Sequence, residues 1–377
     1  MQTGVNAPAS LRRADRAHAR RRMALPAIAL LVLFFAYLSM RSTVIGFIPV
    51  TYTLRNIYTA ISLGISQLFR LPLYDRRLSV IQETPYYLET MTRLQSGLLT
   101  VALGACLSAA GAAFQMAFRN PIAMPGMLGV SGGISAANTM LVLRYSTFAL
   151  SMTAQRFIYG YAFSLALLAM VLLTGRLMGS KRFSVIDMIL AGSIITRLVG
   201  QISNAIQVYA MTEEDFILLQ EMSLYGTGTG SARGAVFLAV ALMLGLLPLF
   251  LTRFSFNGVS FDDESAKGFG INAARLRAIG LVCSVILVVA ALIHAGDVAL
   301  LALLAPHLGR YMFGADFRDL LPGSLLLGAL LMLVCGTVTA YFAFYPYLRV
   351  ISVGIIVSLV ATPLLMVMLL RGRRGWE

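Results

Sequence analysis

Arg197 lies deep inside the apolar stretch LAGSIITRLVGQISNAIQVY, with Gln201, Asn204 and Gln207 following at intervals of three and four. Those intervals place polar groups on successive turns of a helix. A guanidinium stays charged at any physiological pH, and at the middle of a bilayer it costs about 2.5–3.5 kcal/mol on insertion scales. Arg197 must therefore meet a wet cavity or a partner. One reading is contact with a negatively charged solute. The other is a structural pair with Asp187 or with a backbone carbonyl near a helix end.

Other residues with chemical potential are thinner on the ground. His294 and Asp297 flank Gly296, where they could touch a solute or a partner or simply satisfy an interface. His307 and Arg310 form a Pro-His-x-x-Arg pattern that reads as architectural. Redox metal chemistry needs several donors converging, and three scattered histidines do not provide them. Cys106, Cys283 and Cys335 are far apart with no CxxC spacing, which leaves packing as their role. A nucleotide-binding P-loop needs Gly-Lys-Ser/Thr, and neither Lys181 nor Lys267, the chain's two lysines, has that setting.

The composition says what surrounds these residues. The 377-residue chain is 58% hydrophobic and 12% charged, with a mean hydropathy of +0.81. A soluble chain is nearer a quarter charged, and apolar windows of membrane-spanning length recur along this one. The formal charge of +14 could suggest nucleic acid, but position decides otherwise. Arg12, Arg13, Arg16, Arg20, Arg21 and Arg22 precede the first apolar run, and Arg371, Arg373 and Arg374 follow the last, as cytoplasmic flanks do. Met23–Met40 is long for the core of a signal peptide and reads as a retained first span.

The windows predict an all-α, polytopic membrane bundle of about ten helices, near 23–42, 93–116, 124–142, 156–175, 185–209, 232–252, 278–295, 298–313, 322–342 and 352–370. An arginine-rich tail (1–22) and a short tail (371–377) flank one membrane domain (23–370), both on the side richer in basic residues. Segment 43–92 is expected as an external loop with short interfacial helices, and Glu213-Glu214-Asp215 falls on the same outer side. Gly104, Ser108, Gly111 and Gln115 share a helix face, the small-residue pattern that lets helices approach closely in lipid. The segment 253–277 has its own logic. Ser260 followed by Asp263 resembles a capping box, Gly268 and Gly270 can end a short helix, and Asn272 can cap the next. Such a helix–Gly–helix knob suits docking into another protein; a solvated loop is the plain alternative.

Three stretches, GAAFQMAFRNPIAMPGMLGVSGG (111–133), DDESAKGFGINAARLR (262–277) and APHLGRYMFGADFRDLLPGSLLLGA (305–329), resemble in order and spacing the motifs of the BtuC/FecCD-like permeases. These are the type II ABC importers of siderophores, haem and cobalamin, and the resemblance runs over roughly residues 90–370. It implies a BtuC-like permease subunit in the bacterial cytoplasmic membrane with both termini cytoplasmic. It implies as partners a second permease subunit (identical or different), two ATP-binding-cassette ATPase subunits and an extracytoplasmic substrate-binding protein, all within membrane lipid and without nucleic acid. The cargo implied is a metal chelate, a ferric siderophore foremost. No cofactor is expected on this chain, with ATP and Mg²⁺ held by the ATPase subunits. The fifth helix lines the family's pathway, so Arg197, Gln201, Asn204 and Gln207 would meet a passing anionic chelate. Asp263, Ala266, Gly268, Gly270 and Asn272 would lie near the ATPase contact, and Arg93, helped by Arg349, would receive the binding protein.

The chain departs from the family at several places. Arg93-Leu94-Gln95-Ser96 stands where Arg-x-Pro-Arg is frequent, Gly296-Asp297-Val298-Ala299-Leu300-Leu301 where Gly-x-Ile-Gly-Phe-Val-Gly is usual, and Ser352-Val353-Gly354-Ile355 where Pro-x-Gly-Ile is usual. Two rival classes lack their signatures in the sequence. An ion-gradient-driven secondary transporter usually carries buried carboxylates, whereas the acids here fall at predicted ends and loops. An intramembrane enzyme needs a nucleophile–base or metal constellation at membrane depth, and none is recognisable.

Overall fold

The computed structural model of the chain describes residues 9–40, 48–69, 84, 86–144, 151–177, 185–226, 232–260, 263–268, 270–343, 345, 347–348 and 350–372. Thirteen α-helices occupy these residues: α1 (Ala9–Ser39), α2 (Val50–Phe69), α3 (Tyr87–Ala117), α4 (Val130–Arg144), α5 (Met152–Leu177), α6 (Val185–Ala210), α7 (Glu213–Tyr225), α8 (Ala232–Phe256), α9 (Asp263–Gly268), α10 (Ala273–Ala295), α11 (Leu301–Phe313), α12 (Phe317–Phe342) and α13 (Val353–Gly372). Two short 3₁₀ turns, Pro125–Leu128 and Asn257–Ser260, precede α4 and α9.

Each of the ten expected segments coincides with a helix, and six helices are long and apolar enough to cross a membrane by themselves. Two differences stand out. α1 begins at Ala9, well before the apolar run, because Ala, Leu and Arg are all strong helix formers. Within 43–92, a 20-residue helix, α2, replaces the expected short pieces, and α3 starts at Tyr87 rather than 93. α2 is tied to its neighbours by polar side chains. Ser39 and Thr53 oxygens lie 3.4 Å apart, and Asn56 donates to Thr90 Oγ1 at 2.9 Å.

α3 is the axis of the molecule. From Leu103 to Ala117 it is buried nearly throughout, against α10, α11 and α12. The stripe of small residues explains how. A side chain at Gly104 would strike the Gly328 carbonyl on α12, one at Gly111 the Ala302 carbonyl on α11, and one at Gly328 the Ser108 hydroxyl. Ser108 in turn donates to the Gly104 carbonyl at 2.5 Å. α10 joins α3 through Ser284 Oγ, which bonds the Ala110 carbonyl at 2.9 Å. A second group, α4–α5–α6, packs beside this core. Gly133 meets the Ser164 backbone, Ser164 Oγ bonds the Val130 carbonyl at 3.1 Å, and Tyr161 Oη bonds the Ile286 carbonyl of α10 at 2.9 Å.

Outward faces are apolar. On α8, Val236, Val240, Met243, Leu244, Leu247 and Leu251 form an exposed stripe at helical spacing, which only lipid or another apolar surface can cover. Prolines inside α1, α8, α11, α12 and α13 are accommodated as in membrane bundles, where neighbours satisfy the freed carbonyls. The three cysteines are buried and unpaired.

The close approach along α3 is testable. Gly111→Leu or Gly328→Leu overpacks a backbone contact, a class of change that costs typically about 1–3 kcal/mol and occasionally more. A clear drop in the thermal unfolding midpoint of the detergent-solubilised chain is expected. Gly126→Leu, where nothing lies within 4 Å of the added carbon, should leave the midpoint close to wild type. Equal effects at the three positions would contradict the packing.

Candidate functional site

One end of the bundle gathers cations and builds a rigid knob. Arg22 of α1 donates to the Met312 carbonyl at the close of α11, 3.2 Å away. Asn257 holds the start of α12 with both ends of its amide, donating to Asp316 Oδ1 at 2.7 Å and accepting from Phe317 N at 2.8 Å. Phe256 and Phe317 stack beneath, with ring centres 4.9 Å apart. Arg119 closes α3. It takes φ = 51°, a left-handed conformation usually left to glycine, while its own N–H reaches Met116 O and that of Asn120 reaches Gln115 O. The strain of about 1 kcal/mol for a non-glycine residue is offset by Arg119 Nε, which donates to the Val259 carbonyl at 2.6 Å. Arg119 and Asn257 thus pin the turn from which α9 projects.

α9 then ends as its sequence requires. Gly270 adopts φ = +72°; its N–H bonds Lys267 O and that of Ile271 bonds Ala266 O, each at 2.9 Å. This pair of bonds with a left-handed glycine is the Schellman motif. Ile271 packs onto Gly258, and the Asn272 side chain accepts from Arg275 N at 3.0 Å to start α10. Gly268, Gly270 and Asn272 are exposed on this knob. Ala266 corrects the expectation made for it: at 0% exposure it faces inward, so it supports the knob rather than touching a partner. The side chain of Asp263 lies outside the described residues.

α6 presents the expected polar stripe on a face the chain itself leaves uncovered. Its other side is fastened to α4 and the preceding 3₁₀ turn, where Gly192 meets the Met127 carbonyl and Gly132 leaves room for the Thr196 methyl. Arg197, Gln201 and Asn204 are exposed, and at 3.6 residues per turn they fall within one narrow sector. Ile194, Leu198, Ile202 and Val208 are exposed around them. Gln207 is a correction. It turns about a quarter of the circumference away and donates to Thr139 Oγ1 of α4 at 2.9 Å, so it fastens the helix instead of joining the stripe. The alternative pair of Arg197 with Asp187 is excluded by spacing, since ten residues of one helix separate them by about 15 Å along the axis.

Three further expectations meet the structure. Arg93 sits in α3 with its guanidinium carbon 5.4 Å from the Tyr37 ring centre of α1, so it already has an aromatic neighbour within the chain. Arg349 lies outside the described residues. His294 is 2% exposed, with its ring nitrogens 2.9 and 3.0 Å from the carbonyls of Ala290 and Gly234 and its ring in a T-shaped contact with Phe157, centres 5.2 Å apart. That is interface satisfaction, not a solute contact. His307 reaches the Pro121 backbone, and Arg310 beside it donates to Gln115 Oε1 at 2.5 Å, an architectural bond between α11 and α3.

Sequence reasoning missed Arg156. The predicted span began at that residue, so it passed for a boundary arginine. It is instead 1% exposed, donating through Nε to Asn138 Oδ1 at 3.1 Å and through Nη2 to the Met222 carbonyl at 2.6 Å. α7, a 13-residue surface helix opened by the Thr212–Asp215 capping box, supplies that carbonyl, and no periodicity in the spans announces it.

Against this geometry the comparisons with known proteins are consistent. The model of the FecCD transport family matches residues 47–371. The chain is 31% identical to the iron(3+)-hydroxamate import system permease protein FhuB of Bacillus subtilis, over 75% of this chain and 71% of that one. It is 30% identical to the hemin transport system permease protein HmuU of Yersinia pestis, over 74% and 82%. A solved transporter described as of the metal-chelate ABC type, in an inward-facing conformation, superposes with a TM-score of 0.72 at 22% identity, covering 93% of this chain and 99% of its own. The last shows the fold; the match over most of the length shows the family, and this multi-pass membrane chain belongs to the FecCD transport family.

Proposed function

We propose that the chain is the permease subunit of an ATP-binding-cassette importer and carries a metal chelate, foremost a ferric siderophore, across the bacterial cytoplasmic membrane. The observation that carries this reading is the stripe Arg197–Gln201–Asn204 on the uncovered face of α6. A helix face turned to lipid does not hold a cation and two amides in line, because ionisable and polar groups at that depth face a cavity, a partner or water. A second permease subunit set against this face would enclose the stripe in a central pathway. There the guanidinium pairs with carboxylate or catecholate oxygens of a chelate, the charge-assisted, two-pronged contact at which arginine excels. The cargo keeps its own metal ligation throughout, so the permease needs to supply none.

The cationic end of the bundle is the cytoplasmic one in this reading, in keeping with the preference of arginine and lysine for that side. Its Schellman-capped knob docks an ATPase subunit that holds ATP and Mg²⁺. The opposite end, with Arg93 and α7, receives the binding protein. Relatives described as hydroxamate and hemin permeases support a chelate cargo, and family membership speaks against the ion-gradient alternative.

Two experiments on the complex reconstituted in vesicles follow. Arg197→Ala should lower uptake of anionic chelates about tenfold, the equivalent of about 1.4 kcal/mol, while a neutral ferric hydroxamate is carried at close to the wild-type rate. Equal rates across the panel for both proteins would remove the anion-contact role. Gly270→Val tests the knob: an added Cβ meets nothing within 4 Å, so the main effect is conformational, about 1–2 kcal/mol for a left-handed β-branched residue. Binding-protein-stimulated ATP hydrolysis should fall several-fold at normal membrane yield. Unchanged stimulation would mean that the knob is not the coupling element.

A further inference from the structure

Arg156 marks a second site, separate from the α6 stripe. It forms part of the wall of a cavity of about 190 Å³ set between α4, the first turns of α5, the end of α7 and the α10–α11 turn. Ser131, Ser135, Asn138, Ser223 and Asp297 supply its other polar walls. Arg156 is 1% exposed, and its Nη1 has no hydrogen-bond partner among the described residues. A guanidinium cannot shed its proton, and a buried charge left unpaired is strongly unfavourable.

Three backbone carbonyls of the lining are already engaged. The Met222 carbonyl at the C-terminal end of α7 takes Arg156 Nη2 and also the Gly226 N–H at 3.1 Å. Its share of the helix dipole offsets only part of a full charge. The carbonyls of Ser223 and Leu292 accept from the N–H groups of Asp297 and Gly296. Asp297 is exposed at the mouth, with Oδ1 turned to Ala299 N at 3.4 Å. It makes no ion pair with Arg156.

Donors dominate what remains. Asn138 commits its oxygen to Arg156, which leaves its NH₂ group to donate. The hydroxyls of Ser131 and Ser135 make no bond among the described residues. A guanidinium nitrogen, an amide NH₂ and two hydroxyls around a space this small suit an ion of a few atoms and exclude a chelate. We propose that the cavity is a binding site for one small monovalent anion, a halide or a formate-sized carboxylate, held as the counter-ion of Arg156 and joining α4, α5 and α7.

The test is thermal unfolding of the detergent-purified full chain at constant ionic strength, with sodium lactobionate, too bulky to enter, replaced stepwise by sodium chloride or sodium formate. The wild type should show a saturating rise of about 2–4 °C. A response to chloride alone would mark a halide site, and one to formate alone a carboxylate site. Arg156→Met should start lower and respond to neither. Ser135→Ala, at the exposed rim, keeps the fold and should raise the half-saturating concentration several-fold. Asp297→Asn, which removes a like charge from the mouth, should lower that concentration. A wild-type midpoint indifferent to both anions, together with a loss of stability in Asp297→Asn, would make Asp297 the true counter-charge and overturn the site. An equal rise in wild type and Arg156→Met would overturn it as well.

Discussion

Inside a bilayer the lipid tails are as apolar as any leucine, so helices gain nothing by hiding side chains from water and must hold together by close contact. Here that contact is backbone against backbone along α3. Gly104 on Gly328 and Gly111 on Ala302 bring α12 and α11 so near that a single added carbon would collide. With α3 fixed, α10 and α8 take their places around it. The α4–α5–α6 group is held together by equally small residues, Gly132, Gly133 and Gly192, and Tyr161 ties it to α10 of the core. The uncovered face of α6 and the knob after α8 are what remains outside this packing.

Polar residues divide according to that frame. Some fasten helices: Ser284 on α3, Tyr161 on α10, Gln207 on α4, Arg310 on Gln115. Others shape one end of the bundle, where Arg119 and Asn257 lock the turn that carries α9. The stripe on α6 does neither and points away from the chain. A residue's role here follows from which side of its helix is already occupied, not from its charge.

That division explains what could be read in advance. Apolar windows marked all ten principal segments, because a hydrocarbon slab sets both length and composition. The α9 knob was legible too, since Gly270 and Asn272 announce local backbone geometry that needs no distant partner. The stripe was half legible: helical spacing groups Arg197, Gln201 and Asn204, yet Gln207 also fits until Thr139 is seen beside it. His294 and Arg156 depended on residues far away in sequence. Alternation and capping cannot foretell that Arg156 meets Asn138 and Met222, or that an arginine would occupy the left-handed turn at 119, where the distant Val259 carbonyl helps to hold it.

The decisive measurement is uptake of a radiolabelled ferric siderophore into proteoliposomes, comparing the chain alone with the chain joined to its ATPase subunits and binding protein. If the bundle is a passage driven from outside itself, accumulation requires internal ATP and the partner subunits and persists when a protonophore collapses the ion gradient. Accumulation by the chain alone on a proton or sodium gradient, with no nucleotide present, would contradict it.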